Sequence, residues 1–194
     1  MSAITQDNRL IRLDTPLGTD KLILTAFSGS DIISGLSTYN LEAITSEHQI
    51  QPDTLVGKAV TVTIDETRFF HGFISQLSIG NVLEGGLQQY RMEMVPWLWF
   101  LTHTSDCRIF QNLSVTDILQ DVFAKSGFTD FDISGLTDTY EPLEYCVQFG
   151  ESDFNFVSRL MEKFGISYFF KHEEDKHTLM LVDNNKAFIS SEEP

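Results

Sequence analysis

The sequence predicts an α+β protein: a mostly antiparallel, β-barrel-like unit over residues 1–103, a small α+β unit over 104–183 and a frayed polar tail over 184–194. Three observations carry this. Apolar residues recur with a period of two through the first hundred positions. Short turns that are glycine-bearing or acidic separate those runs. The spacing becomes helical beyond about residue 104.

The first strand is KLILTAF (21–27), and STYNLEAIT (37–45) alternates loosely after it. KAVTVTI (58–64) sets Val60, Val62 and Ile64 on one face and Thr61 and Thr63 on the other, the alternation of a half-buried strand. RFFHGFISQLSI (68–79) and LQQYRMEMVPWLWFLT (87–102) follow; in the second, Tyr90, Met92 and Met94 oppose Gln89, Arg91 and Glu93. DET (65–67) and GNVLEGG (80–86) are turn chemistry between strands. Five or six such strands joined by tight turns suggest an antiparallel barrel or sandwich. Pro96 cannot donate to a ladder, so it marks a bulge or an edge in the last strand. Trp97 and Trp99 bracket Leu98, either filling the core at a barrel rim or meeting another subunit.

In the second unit, SVTDILQDVFAKSGF places Ser114 as an N-cap with Asp117 three residues on, a capping-box pattern. Val115, Ile118, Leu119, Val122 and Phe123 then keep helical spacing, and Gly127 suits the stop. Residues 129–142 read as a loop and EYCVQF (144–149) as a strand. Ser152 caps the next helix with Asp153 in its first turn, Phe154, Val157, Leu160, Met161 and Phe164 form its apolar stripe, and Gly165 ends it. ISYFF (166–170), the polar turn KHEEDK (171–176) and HTLMLVD (177–183) make a hairpin.

The formal charge of −15 opposes phosphate backbones and anionic membrane surfaces, so neither nucleic acid nor membrane is an expected partner. The N-terminus carries no basic-then-apolar leader, and the longest apolar run, VPWLWFL, is far short of the about 20 residues a membrane helix needs. These features predict folding in the cytoplasm and, if the chain is exported, a route that reads no such leader. Cys107 and Cys146 are too few for a disulfide scaffold; they are two buried free thiols or one disulfide, and no histidine lies near either in sequence to activate it.

No phosphate-binding loop, HExxH, CxxC or GxSxG pattern occurs. His172, Glu173, Glu174, Asp175 and His177 come closest to a metal set, but a charged hairpin turn is ordinarily a solvated loop. His71 and His103 fit local hydrogen bonding in strands, and His48 a polar loop. Glu151 and Asp153 could share acid–base work in a hydrolase if their environments pushed their pKa values apart. Helix capping for Asp153 and a surface or interface ion pair for Arg159 explain the same residues. No catalytic, cofactor-binding or metal-binding residue is assigned, and no enzyme activity is expected.

Two stretches, MVPWLWFLTHTSDCRIFQNLSVTDIL (94–119) and EPLEYCVQFGESDFNFVSRLMEKFGISYFFKHEEDKHTLMLVD (141–183), resemble the N-terminal region of the VgrG family, the spike proteins of bacterial type VI secretion systems. CRIFQN and YCVQFGESDFNFVSRLMEKFGI are the most specific parts. The resemblance implies a phage tail hub-like fold, a homotrimer of hub barrels docking on a tube of Hcp rings, and export through the type VI apparatus after assembly in the cytoplasm. It also implies a second barrel and a β-helical needle in a longer chain, so this piece alone is expected to be a monomer or a weak oligomer. Its interface is expected at Pro96, Trp97, Leu98, Trp99 and Phe100 and at exposed edges of the first β unit. The hub of a related phage tail or contractile device is the alternative.

Overall fold

A computed structural model describes residues 4–46, 49–185 and 188. His48 and most of the tail expected over 184–194 lie outside these. The chain divides into two compact units: Met1–Asp31, Leu36–Pro96 and His172–His177 form the first, and Ile32–Gly35, Trp97–Lys171 and Thr178–Pro194 the second.

The first unit is one six-stranded antiparallel sheet. Its strands are β1 (Ile11–Asp14), β2 (Ile23–Ser30), β3 (Thr38–Thr45), β4 (Ala59–Ile64), β5 (Arg68–Val82) and β6 (Gln88–Val95), in the order β1-β4-β5-β6-β3-β2. The alternation in β6 holds: Tyr90, Met92 and Met94 are buried, while Arg91 is exposed. β4 departs from its pattern, since Thr61 and Thr63 are buried as well as Val60 and Val62. Residues 172–177 lie over that face, and the Thr61 hydroxyl donates to the Glu174 carbonyl at 2.7 Å.

Curvature comes from β5. This 15-residue strand carries register shifts between Ile74 and Gln76 and between Ile79 and Val82; bulges of this kind bend and twist a strand. At Gly72 a Cβ would meet Met94 Cγ at 2.6 Å and the Val95 carbonyl at 2.9 Å, so only glycine permits the close approach of β5 to β6. Gly85 and Gly86 hold φ of +82° and +77° in the hairpin loop, which strains any other residue.

Bending brings β1 alongside β2 and nearly closes a barrel. No ladder joins these two strands; the side chain of Gln6 stands in for one. Its Oε1 accepts from the Leu13 N–H at 2.8 Å and the Leu24 N–H at 3.4 Å, and its Nε2 donates to the Leu13 carbonyl at 3.0 Å. Gln6 is itself buried, and its own N–H donates to Asp20. Leu13, Leu24, Leu41, Val62, Ile74 and Tyr90 are among the residues that fill the interior.

Besides Ile32–Gly35, the second unit takes up the chain from Trp97, where the sequence reading places the boundary at 103/104. Residues Trp97–Thr102 form a 3₁₀ turn in place of a continued strand, so Pro96 ends β6 and does not bulge it. The turn points Trp97 onto Phe123 and Phe128, at 5.3 and 5.0 Å between ring centroids, and its Nε1 donates to the Asp130 carbonyl at 3.2 Å. This packing, local to the second unit, is why the division falls here. β7 (Ser105–Phe110) pairs antiparallel with β9 (Cys146–Ser152). Helix α1 (Val115–Lys125) shows the full Ser114–Asp117 capping box and gives way to Gly127 at positive φ. β8 (Phe131–Gly135), inside the stretch read as a loop, pairs in parallel with β11 (His177–Val182), and β10 (Ser167–His172) completes that sheet. Helix α2 (Asp153–Lys163) is capped by Ser152, which accepts from the Asn155 N–H. Its buried stripe uses Phe156 with Val157, Leu160 and Met161; Phe154 is only half-buried. Phe156 wins that place because it stacks on Phe110 of β7, at 5.6 Å.

Replacing Gln6 with alanine leaves two buried N–H groups and one carbonyl without their partner, and should lower the unfolding free energy by about 2–3 kcal/mol. Urea melts of the wild-type and Gln6→Ala chains check this.

Candidate functional site

The residues that suggested acid–base chemistry do not converge. Glu151 takes the Arg159 guanidinium through both oxygens, at 2.6 to 3.0 Å, and Arg159 Nη2 also donates to the Val147 carbonyl at 2.7 Å. Asp153 turns inward. Its Oδ1 accepts from Arg108 Nη2 at 2.9 Å and from Gln148 Nε2 at 2.7 Å, while Gln148 Oε1 accepts from Arg108 Nε at 3.0 Å. Each carboxylate thus meets a different arginine. The first is a surface ion pair; the second is a buried network tying β7, β9 and the first turn of α2.

Arg108 was not singled out in the sequence, although CRIFQN contains it. Its signal is an arginine between Cys107 and Ile109 in a strand whose opposite face must meet α2. Asp106 and Asp121 also lie within 3.3 and 3.8 Å of the guanidinium. Lys125 bonds Asp106 at 3.0 Å, and that bond, with the Cys107 N–H, holds the Asp106 carboxyl below its ordinary range. Elsewhere in this unit, burial would raise the Asp183 carboxyl. Bonds from the N–H groups of Asp138 and Thr137, from Asn184 and from the Thr137 hydroxyl outweigh burial and hold it well below the ordinary range.

The histidines gather differently from the turn-centred set considered in the sequence. His71 of β5, His172 and His177 come together in the first unit, and among the described residues no group of three His, Cys, Asp or Glu side chains is placed to hold a metal ion. His71 Nδ1 lies 2.8 Å from His177 Nδ1. His172 Nδ1 lies 3.1 Å from both the N–H and the carbonyl of His71, and its Nε2 lies 3.2 Å from the Tyr39 hydroxyl, which bonds Asp31. His103 contacts the Thr102 hydroxyl at 2.7 Å.

The candidate interface residues divide into two groups. Pro96, Trp97 and Leu98 are buried within the chain, so their side chains face its own interior; the 3₁₀ turn that Pro96 starts is the reason. Trp99 and Phe100 are half-buried. The expected open edges of the first β unit are the β1 and β2 edges bridged by Gln6. A larger bare surface lies on the β7–β9 ribbon. Cys107 pairs with Phe149 and Ile109 with Val147, so all four share a face. Phe149 is 82% exposed, Ile109 61% and nearby Tyr145 56%. The sequence carries the sign of this: EYCVQF is apolar at Tyr145, Val147 and Phe149 as well as at Cys146. Both cysteines are free thiols, with Cys107 exposed and only Cys146 buried. Burial raises the Cys146 thiol above its ordinary range.

A nearly closed antiparallel barrel unit and a capped α+β unit are the architecture of phage tail hub-like proteins. The chain belongs to the phage tail baseplate hub (GPD) family, whose pattern matches residues 31–194. The family resemblance read from residues 94–119 and 141–183, and the phage tail hub-like fold it implies, therefore hold. The chain is 42% identical over 185 residues, 93% of its length, to the type VI secretion system spike protein VgrG1b of Pseudomonas aeruginosa, and 41% over 184 residues, 92% of its length, to VgrG1a of the same organism. It spans only 25% and 28% of those relatives. In fold it is similar to the E. coli c3393 protein, a component of the type VI secretion system, with a TM-score of 0.85 at 22% identity over 92% of this chain and 50% of that one. A 43 kDa prophage tail protein of Shewanella oneidensis gives a TM-score of 0.63 at 18% identity, over 89% of this chain and 54% of that one.

The two arginines should separate in a stability measurement. Arg108→Ala strands the buried Asp153 and Gln148 and should cost about 3 kcal/mol, whereas Arg159→Ala breaks an exposed pair and should cost about 1 kcal/mol or less. Thermal melts of both variants at one pH and salt concentration make the comparison.

Proposed function

We propose that this chain is the N-terminal hub module of a type VI secretion spike. In the whole protein it joins further copies in a trimer and docks on a tube of Hcp rings. The module assembles in the bacterial cytoplasm and leaves with the spike through the type VI apparatus. Its work is shape and contact, with no bond made or broken by the module itself.

The observation that carries this reading is the bare apolar face of the β7–β9 ribbon, Phe149 and Ile109 at its centre, in a chain similar to spike proteins along 92–93% of its length. Exposed apolar patches on well-packed elements mark surfaces that other proteins cover. Half-buried Trp99 and Phe100 remain available to such a contact, unlike Pro96, Trp97 and Leu98. A phage tail hub is the second reading, supported by the likeness in fold to a prophage tail protein; the closer sequence similarity to the two spike proteins favours the first.

Mass measurement in solution tests the reading. The 194-residue chain should run as a monomer or weak oligomer, and a version extended to the full length of the spike should run as a trimer that retains purified Hcp on a column. A full-length protein that stays monomeric and passes Hcp by, or hydrolytic turnover by the short chain that Asp153→Asn abolishes, overturns it. Phe149→Asp in the full-length protein should weaken trimer formation at least tenfold while leaving the melting temperature of the short chain within a few degrees.

A further inference from the structure

The histidine cluster has a use that a purely passive building block does not need. The His177 ring sits 5.1 Å from that of His71, 106 residues away in sequence, and 5.8 Å from that of His172, its near neighbour in the same hairpin. His71 and His177 are buried, and His172 is partly so. A neutral imidazole pair joined Nδ1 to Nδ1 shares a single proton between those atoms, one ring donating and the other accepting. Charging both rings would set two N–H donors against each other at 2.8 Å. Charging one leaves a buried cation beside two more histidines.

His172 is wired into a directional chain. In the neutral ring with its proton on Nε2, Nδ1 accepts from the His71 backbone N–H, Nε2–H donates to the Tyr39 hydroxyl, and Tyr39 donates to Asp31. That chain needs a neutral ring. A proton added at Nδ1 ends the bond from the His71 N–H and leaves only the His71 carbonyl, also 3.1 Å away, to receive it.

We propose that residues 172–177 are a proton-operated clasp on the barrel sheet, closed when His172 and His177 are neutral and released as they take up protons in mildly acid solution. The groups around the clasp set its balance. Asp31 is an anion that bears on His172, bonded to the same Tyr39, and Arg68 of β5 stacks on Phe70, which packs on His172. β4 presents no ionisable side chain, only the Thr61 hydroxyl that holds the Glu174 carbonyl. The clasp itself carries Glu173, Glu174, Asp175 and Lys176, with Lys176 and Glu173 3.4 Å apart. Burial lowers both His172 and His177, and the charges of His71 and His172 push His177 further, to about 3. Folded-state values below the ordinary 6.5 mean that the open form binds more protons. Docking is therefore at full strength above pH 6.5 and weakens as pH falls from there toward 3, about tenfold per pH unit for each histidine that charges on release.

The His71 amide reports the clasp directly, because its bond is to the His172 ring. Hydrogen exchange of the 194-residue chain, corrected for the intrinsic pH dependence, should show His71 protection falling at least tenfold per pH unit between 6 and 4. The amides of Ala43 and Met92, in the core strands, should keep theirs. His177→Phe, which keeps an aromatic ring and removes one titrating group, should reduce that slope by one proton. Flat His71 protection down to pH 4, loss in step with Ala43 and Met92, or an unchanged slope in His177→Phe overturns the proposal. If His177→Phe does not fold, the wild-type ring resonances decide: His177 titrating with a midpoint near 6.5 while the clasp stays docked also overturns it.

Discussion

The barrel unit depends on a seam that the backbone does not close. A sheet of six strands has two edges, and unless they meet, each exposes a row of N–H and carbonyl groups. Here β1 is only four residues long and cannot ladder onto β2. One glutamine side chain supplies the missing bonds, reaching Leu13 on one edge and Leu24 on the other. Leu24 and Tyr90 are buried beneath that seam, and the gap is filled by an amide with both donor and acceptor in place. Glutamate would lack the donor and bring a charge, and a hydrocarbon would answer neither Leu13 nor Leu24.

The second unit applies the same rule to charge. The chain carries fifteen more acidic than basic residues, so each cation has several anions to choose from. Arg108 collects Asp106, Asp121 and Asp153, and Lys125 shares Asp106 with it. Arg159 and Glu151 pair on the outside. Arg108, Lys125 and Arg159 thus sit where strands and helix ends meet.

Local chemistry made much of this legible. The alternation of β6, the Ser114 and Ser152 caps and the glycine stops at 127 and 165 depend on neighbours within a turn or two, and each stands where the sequence reading puts it. What escaped depends on distant partners. β8 is a strand because β11, more than forty residues on, offers it a parallel edge. Phe154 and Phe156 both fit a helical stripe, and only Phe110 on another strand decides between them. The burial of Thr61 and the meeting of His71 with His177 require the hairpin tip to return over β4 and β5. Pro96 was read as a local interruption, yet its consequence, a 3₁₀ turn that buries Trp97, is set by Phe123 and Phe128.

The contrast between the two thiols makes the protein addressable. Cys107 stands in solvent at the margin of the bare ribbon, while Cys146, on the opposite face, is both shielded and harder to deprotonate. A thiol-reactive dye at neutral pH therefore marks Cys107 ahead of Cys146 in this 194-residue chain, and its emission follows whatever comes to rest beside Phe149.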